Sequence, residues 1–87
     1  MNGPDWITLP SLSGLRAFEA AARLGGFSAA ARALNVTHAA IAQQVRALER
    51  ELGEALIYRD GRALSLTEKG RALSAELTNG FLAIQAA

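Results

Sequence analysis

The chain has no cysteine, a single histidine (His38), two prolines and one tryptophan among its 87 residues. Without thiols there is no disulfide framework and no thiolate zinc site, and one imidazole cannot assemble a His-rich metal cluster. No apolar stretch approaches the ~18 residues of a membrane-spanning helix. Met1–Pro10 (MNGPDWITLP) has neither the basic start nor the apolar centre of a signal peptide. These absences point to a soluble, cytoplasmic protein. Domains usually run ~100–200 residues, so one core must serve the whole chain. A chain this short buries only about 60% of its unfolded surface, and with disulfides and metals gone, pairing with a second copy is the support that remains.

Carboxylates are missing from one long window. The eight acids are Asp5, Glu19, Glu49, Glu51, Glu54, Asp60, Glu68 and Glu76, which leaves residues 20–48 with Arg23, Arg32 and Arg46 and no negative side chain. A net charge of +1 and a pI near 8.4 argue for no particular partner. The window, by contrast, either presents a positive surface or is an Ala-rich stretch of core.

Helical spacing organises what is present. Ser13 is placed as the cap of a first helix whose apolar positions Leu15, Phe18 and Ala22 recur at helical intervals until Gly25-Gly26 stops it. Trp6, Ile7 and Leu9, just upstream, are expected to pack on the domain. Ser28 is placed as the cap of a short second helix, Ala29–Leu34, too short to stand without packing. After a break at Asn35-Val36, Thr37 caps a third helix. Its stripe is Ile41, Val45, Leu48 and Leu52, and Gly53 closes it. Extended runs Leu56–Arg59 and Arg62–Leu66, joined through Asp60-Gly61, read as a β-hairpin, because Asp-Gly suits a two-residue type I′ turn. Thr67 then caps a fourth helix that runs to the last residue. Leu73, Leu77 and Ile84 form its stripe, with Gly70 and Gly80 on the same side, Phe81 beside it and Leu82 opposite.

Three short helices followed by a hairpin have the order of a winged helix-turn-helix, in which the second helix braces the third and the third lies in the major groove. At ~100° per residue, Ala39, Gln43, Arg46 and Arg50 cluster opposite Ile41, with Ala42 at the flank and Gln44 nearer the core. Glutamine pairs with adenine edges, arginine with guanine or phosphate, and alanine lets the backbone come close enough to touch a thymine methyl. Gln43 and Arg46 also suit an ordinary solvated helix face. Ser28 and Thr37 are caps whose neighbouring amides can in addition hold phosphates. His38 is either a DNA-contacting polar residue or a surface histidine without a role. Arg59 and Arg62 flank the hairpin tip, where a wing reaches phosphate or minor groove or is simply a solvated turn.

The segments LRAFEAAARLGGFSAAARALNVTHAAIAQQVRALERELG and LIYRDGRALSLTEKG together resemble the N-terminal DNA-binding domain of LysR-type transcriptional regulators. The resemblance covers Leu12 to about Ile84. It carries the Phe-Ser-Ala-Ala-Ala-Arg-Ala-Leu brace, the Val-Thr-x-x-Ala-Ile start, the Leu-Glu-x-x-Leu-Gly close and the Leu-Thr-x-x-Gly after the wing in register. The phrases LRAFEAAAR and NVTHAAIAQQVRALE lean toward the branch of glycine-cleavage activators and β-lactamase regulators. The resemblance implies that Ser28, Thr37, His38, Ala39, Ala42, Gln43 and Arg46 lie at the DNA, with Arg59 and Arg62 in the wing. It also implies that the fourth helix is a linker through which two chains pair, by Leu73, Leu77, Phe81 and Ile84. Three positions depart from the family pattern. Ala42 stands where Ser or Thr is common, His38 where Gln is commoner, and Ile57 where the first wing strand usually has Phe.

The fold expected is all-α with a small β-hairpin, divided into an N-terminal tail (1–10), a winged helix-turn-helix (11–66) and a linker helix (67–87). The function expected is sequence-specific binding of double-stranded DNA as a homodimer, extensible to a tetramer in a full-length protein, with no catalysis, cofactor or metal. A small-molecule effector is expected only through a C-terminal domain of the kind family members carry, which lies outside this chain. A helical protein-interaction module is the alternative, with the Ala-rich face of helices two and three docking a protein groove. An enzyme would need a nucleophile, base or metal set that one histidine and scattered carboxylates do not supply.

Overall fold

A computed structural model describes residues 3–5, 8–61 and 63–87. Six elements follow in order: α1 (Leu12–Leu24), α2 (Phe27–Leu34), α3 (His38–Leu52), β1 (Ile57–Asp60), β2 (Ala63–Leu66) and α4 (Glu68–Ala86). Among the described residues this is the four-helix, one-hairpin architecture expected. α1 packs on α2, α3 and α4, and α2 packs on α3. Alanines 17, 20, 21, 30, 31 and 42 are buried where the first three helices meet, so small side chains leave room for Phe18, Ile41, Val45, Leu48 and Leu56 to fill the centre with 1% or less of their surface exposed. Leu52, placed at the end of the α3 stripe, is 37% exposed because α3 outruns the core by its last turn.

Two helix starts differ from expectation. α1 begins at Leu12, capped by Ser11 rather than Ser13, and the Ser11 hydroxyl accepts the Gly14 N–H at 3.2 Å. α2 begins at Phe27 behind Gly26, which has no side chain to offer, so Ser28 lies inside the first turn and is not its cap. Thr37 and Thr67 cap α3 and α4 as expected, each hydroxyl accepting a backbone N–H at 3.0 Å. Asn35 adopts a left-handed conformation (φ 57°) that ends α2, and the N–H of Val36 reaches back to the Ala31 carbonyl at 3.0 Å. A three-residue break thus turns the chain into α3.

The hairpin register also differs by one residue. Ile57 pairs with Leu66 and Asp60 with Ala63, so Asp60, expected in the turn, ends β1 and Ala63 opens β2. Ile57, Leu64 and Leu66 share one face of the hairpin and pack against the core. Gly61 has φ +67°. The hairpin is rooted at both sides. The Glu49 carboxylate accepts the N–H groups of Leu56 (2.8 Å) and Ile57 (3.3 Å), while the Thr67 hydroxyl donates to the Ala55 carbonyl at 2.7 Å. Gly70 is buried so close to β1's approach that a Cβ there would land on the Leu56 carbonyl oxygen.

α4 lies on α1 for part of its length. Leu73, Leu77 and Phe81 are half-buried against the core, whereas Leu82 and Ile84 are 56% and 72% exposed. Ile84 shares a helical face with Leu73, but the body it would rest on has ended by that turn. At the junction Glu19, buried in α1, accepts the Thr78 hydroxyl of α4 at 2.7 Å and pairs with Arg23 at 2.8 Å. Burial pushes the Glu19 carboxyl up. The hydrogen bonds from Arg23 and Thr78 and the Arg23 charge outweigh this and hold it below its ordinary value.

Candidate nucleic-acid interface

α3 has two faces. Ile41, Val45 and Leu48 are buried, while Ala39, Gln43, Arg46 and Arg50 are exposed on the other side. Glu49, the first acid on the helix, is half-buried at the edge of that surface beside Arg46 and Arg50, where one carboxylate oxygen accepts two backbone N–H groups at the root of the hairpin. The outer face therefore presents an amide, two guanidiniums and small residues over nearly three turns. Ala42 is 8% exposed and shows little more than a sliver beside this face.

His38 opens α3 at the edge of a second feature. A cleft of about 340 Å³ is lined by Gly25, Gly26, Ser28 and Arg32 from the α2 side, His38 from α3, and Arg59 and Leu64 from the hairpin. Ser28 is exposed in the first turn of α2. The N–H groups of that turn have no intrahelical acceptors, and no side chain caps them. Free amides, a hydroxyl and two arginines around one cleft are the donors an anionic oxygen requires. Arg59 lies over the Phe27 ring, its guanidinium carbon 5.5 Å from the centroid, and the same ring meets His38 edge-on at 5.6 Å and 66°.

The structure thus brings Ser28, His38 and Arg59 to one cleft, and aligns Ala39, Gln43 and Arg46 along the exposed side of α3 that leads from it. Thr37, exposed, is engaged as the α3 cap. Arg62, and with it Trp6 and Ile7, lie outside the described residues, and Leu9 is 40% exposed. Of the α4 residues, Leu73, Leu77 and Phe81 are partly covered by the chain's own core, and Ile84 is open. Sequence reasoning missed Arg32 in the cleft, although the acid-free window contains it, and missed Phe27 as the ring beneath Arg59, for which no spacing signal exists.

Among the described residues no three His, Asp or Glu side chains gather to hold a metal, and no helix is long and apolar enough to cross a membrane.

Residues 12–71 match the family of bacterial regulatory helix-turn-helix proteins called lysR. The AhcY transcriptional activator HvrB of Rhodobacter capsulatus is 58% identical over 87 residues, all of this chain, and the chain spans 30% of that relative's length. In three dimensions the chain is similar to the CbnR DNA-binding domain in a DNA complex, with a TM-score of 0.77 and 33% identity over 88% of this chain and 90% of that one. It is also similar to the BenM DNA-binding domain bound to catB site 1 DNA, with a TM-score of 0.82 and 26% identity over 88% and 86%. The match spans both helices of the helix-turn-helix, the hairpin and the start of α4, and on that ground the chain belongs to the lysR family of bacterial regulatory helix-turn-helix proteins.

Proposed function

We propose that the chain is the N-terminal, sequence-specific DNA-binding domain of a LysR-type transcriptional regulator, with α3 in the major groove of duplex DNA. The observation that carries the reading is the outer face of α3, where Gln43, Arg46 and Arg50 are exposed with no acid among them. Gln43 and Arg46 read base edges, and Ala39 and the edge of Ala42 let the backbone approach. Ser28, Thr37, His38 and the wing residues Arg59 and Arg62 flank that contact and meet phosphate or sugar. The DNA complexes of the CbnR and BenM domains support this assignment.

The division into a tail (1–10), a winged helix-turn-helix (11–66) and a linker helix (67–87) belongs to the same reading. Two copies pair through the linker helix, using the exposed Ile84 and the outer edges of Leu73, Leu77 and Phe81, and so present two α3 helices to a two-fold operator. The protein works in the cytoplasm, without catalysis of its own, and any effector acts through a further domain. No observation favours a protein-interaction module over DNA.

Selection of bound sequences from random duplex DNA tests the whole reading and yields the half-site with its spacing. Binding through several phosphates falls with salt at a log–log slope of about −0.9 per contact. A selection that enriches nothing, with salt-insensitive retention, overturns it.

A further inference from the structure

Arg59 sits on the inner face of the wing. In a strand, residues two apart share a side, so Arg59 shares one with Ile57, and in register it stands opposite Leu64 as Ile57 stands opposite Leu66. Ile57, Leu64 and Leu66 all pack against the core. An arginine in this row is aimed at the body of the domain, yet it remains exposed. What receives it is Phe27, 8% exposed at the first position of α2, whose ring lies 5.5 Å from the guanidinium carbon. The ring is itself fixed by His38, the first residue of α3, which meets it edge-on. One aromatic side chain therefore joins the start of α2, the start of α3 and the wing.

The geometry points to Phe27 as a positioning residue for DNA binding, a platform that holds the Arg59 guanidinium at the mouth of the cleft shared with Ser28, Arg32 and His38. The inference rests on the DNA-binding reading above. A guanidinium over a ring face is held by the ring's quadrupole, so the platform orients the group without using its N–H donors. A free arginine loses rotamer freedom when it grips a phosphate, and one already held by a ring loses less. Phe27 thus acts on DNA affinity through Arg59 while touching no DNA itself.

The test is a double-mutant cycle in the full chain, using duplex DNA obtained by selection and fluorescence anisotropy across a salt series. Arg59→Ala weakens binding and lowers the magnitude of the salt slope by about 0.9. Phe27→Leu weakens binding about two- to five-fold when Arg59 is present, the size of an exposed cation–π contact, and adds nothing in the Arg59→Ala background. Phe27→Tyr, which keeps the ring, restores wild-type affinity. Equal losses from Phe27→Leu with and without Arg59 overturn the platform while leaving the DNA reading intact. An Arg59→Ala variant with unchanged affinity and salt slope overturns the wing's part in that reading, and the platform with it. Proton NMR of the unsubstituted chain covers the case in which Phe27→Leu fails to fold. The Arg59 δ-methylene protons resonate upfield of those of the other arginines, and their absence from that region overturns the platform.

Discussion

Helices α3 and α4 start alike and end differently. Each opens behind a threonine whose hydroxyl accepts a backbone N–H three residues on, at 3.0 Å in both. α3 then sinks Ile41, Val45 and Leu48 to 1% exposure or less, so its position is set by close packing and its polar face is left free. α4 buries only Gly70 outright. Its Leu73, Leu77 and Phe81 are half-covered, and Leu82 and Ile84 stand in solvent. The two helices are held in different ways. α3 depends on the chain's own core. α4 depends on the half-buried Leu73, Leu77 and Phe81, one close backbone approach and one buried polar contact, and its last turns carry Leu82 and Ile84 in the open.

The largest effects should separate the two helices by stability alone. Ile41→Ala or Leu48→Ala should cost about 2–5 kcal/mol, because each leaves a cavity in a small core. Leu73→Ala or Leu77→Ala should cost less, since part of each side chain is already hydrated. Urea unfolding followed by circular dichroism measures both sets, and equal losses would show that the core holds α4 as firmly as α3.

Gly70→Ala should come next, at about 1–3 kcal/mol, the range for forcing extra volume into a packed site. The added methyl meets backbone at the Leu56 carbonyl, so either α4 or the hairpin root must move. Gly80→Ala on the same helix meets nothing and should stabilise the chain slightly, because alanine is the better helix former. Similar midpoints for the two variants would show that α4 is not held by that approach.

How much of this was legible in advance follows the same divide. Periodicity names the buried line of α3 because burial there is decided within fifteen residues, and Thr37, Gly53 and Thr67 mark ends by local hydrogen bonds. The sequence pattern sets the cap of α1 two residues late, since Ser11 and Ser13 are both competent cap residues. Asp-Gly turn chemistry places the turn one residue early, because it carries no information on which cross-strand pairs close the hairpin, here Asp60 with Ala63. Glu19 and Arg23 are readable as a helical pair, but the burial of Glu19 under Thr78 needs the position of a helix 59 residues away. The outer face of α3 was legible for the same reason as its inner one. The wing's inward arginine was not, because only the packing of Ile57, Leu64 and Leu66 on the core decides which side of the hairpin faces the body.

The exposed face of α3 and the exposed end of α4 should then part by what they bind. Arg46→Ala or Gln43→Ala should weaken specific DNA binding by about 1–3 kcal/mol if each loses a bidentate base contact, with the thermal midpoint unchanged because neither side chain is in the core. Ile84→Asp should leave the fold intact, convert dimers to monomers and weaken binding to a two-fold site far more than to a half-site. Ile84 is the cleaner probe than Leu77, whose replacement would also disturb the chain's own packing. Sedimentation at micromolar concentration reads the outcome, and a dimeric Ile84→Asp variant would place the interface elsewhere.

The smallest effect should come from the polar contact at the α1–α4 junction, and pH exposes it. Burial opposes ionisation of Glu19, but the Arg23 and Thr78 hydrogen bonds and the Arg23 charge prevail, and the carboxyl lies below its ordinary value of 4.5. A carboxyl lowered by folding binds its proton more weakly in the folded chain than in the unfolded one. Its contribution to stability is therefore complete above pH 4.5 and is lost as the pH falls through the folded-state value. Glu19→Gln removes the ionisation while keeping the size of the side chain, so the stability of that variant should fall less steeply on acidification than that of the parent. Thr78→Val removes one of the bonds that favour the charged form and should shift the acid limb toward higher pH. Since neither residue lies in α3 or the hairpin, DNA affinity of the folded variants at neutral pH should change only through the placement of α4. Parallel acid limbs for the parent and Glu19→Gln, measured by urea midpoints between pH 3 and 7, would show that the carboxylate does not hold the two helices together.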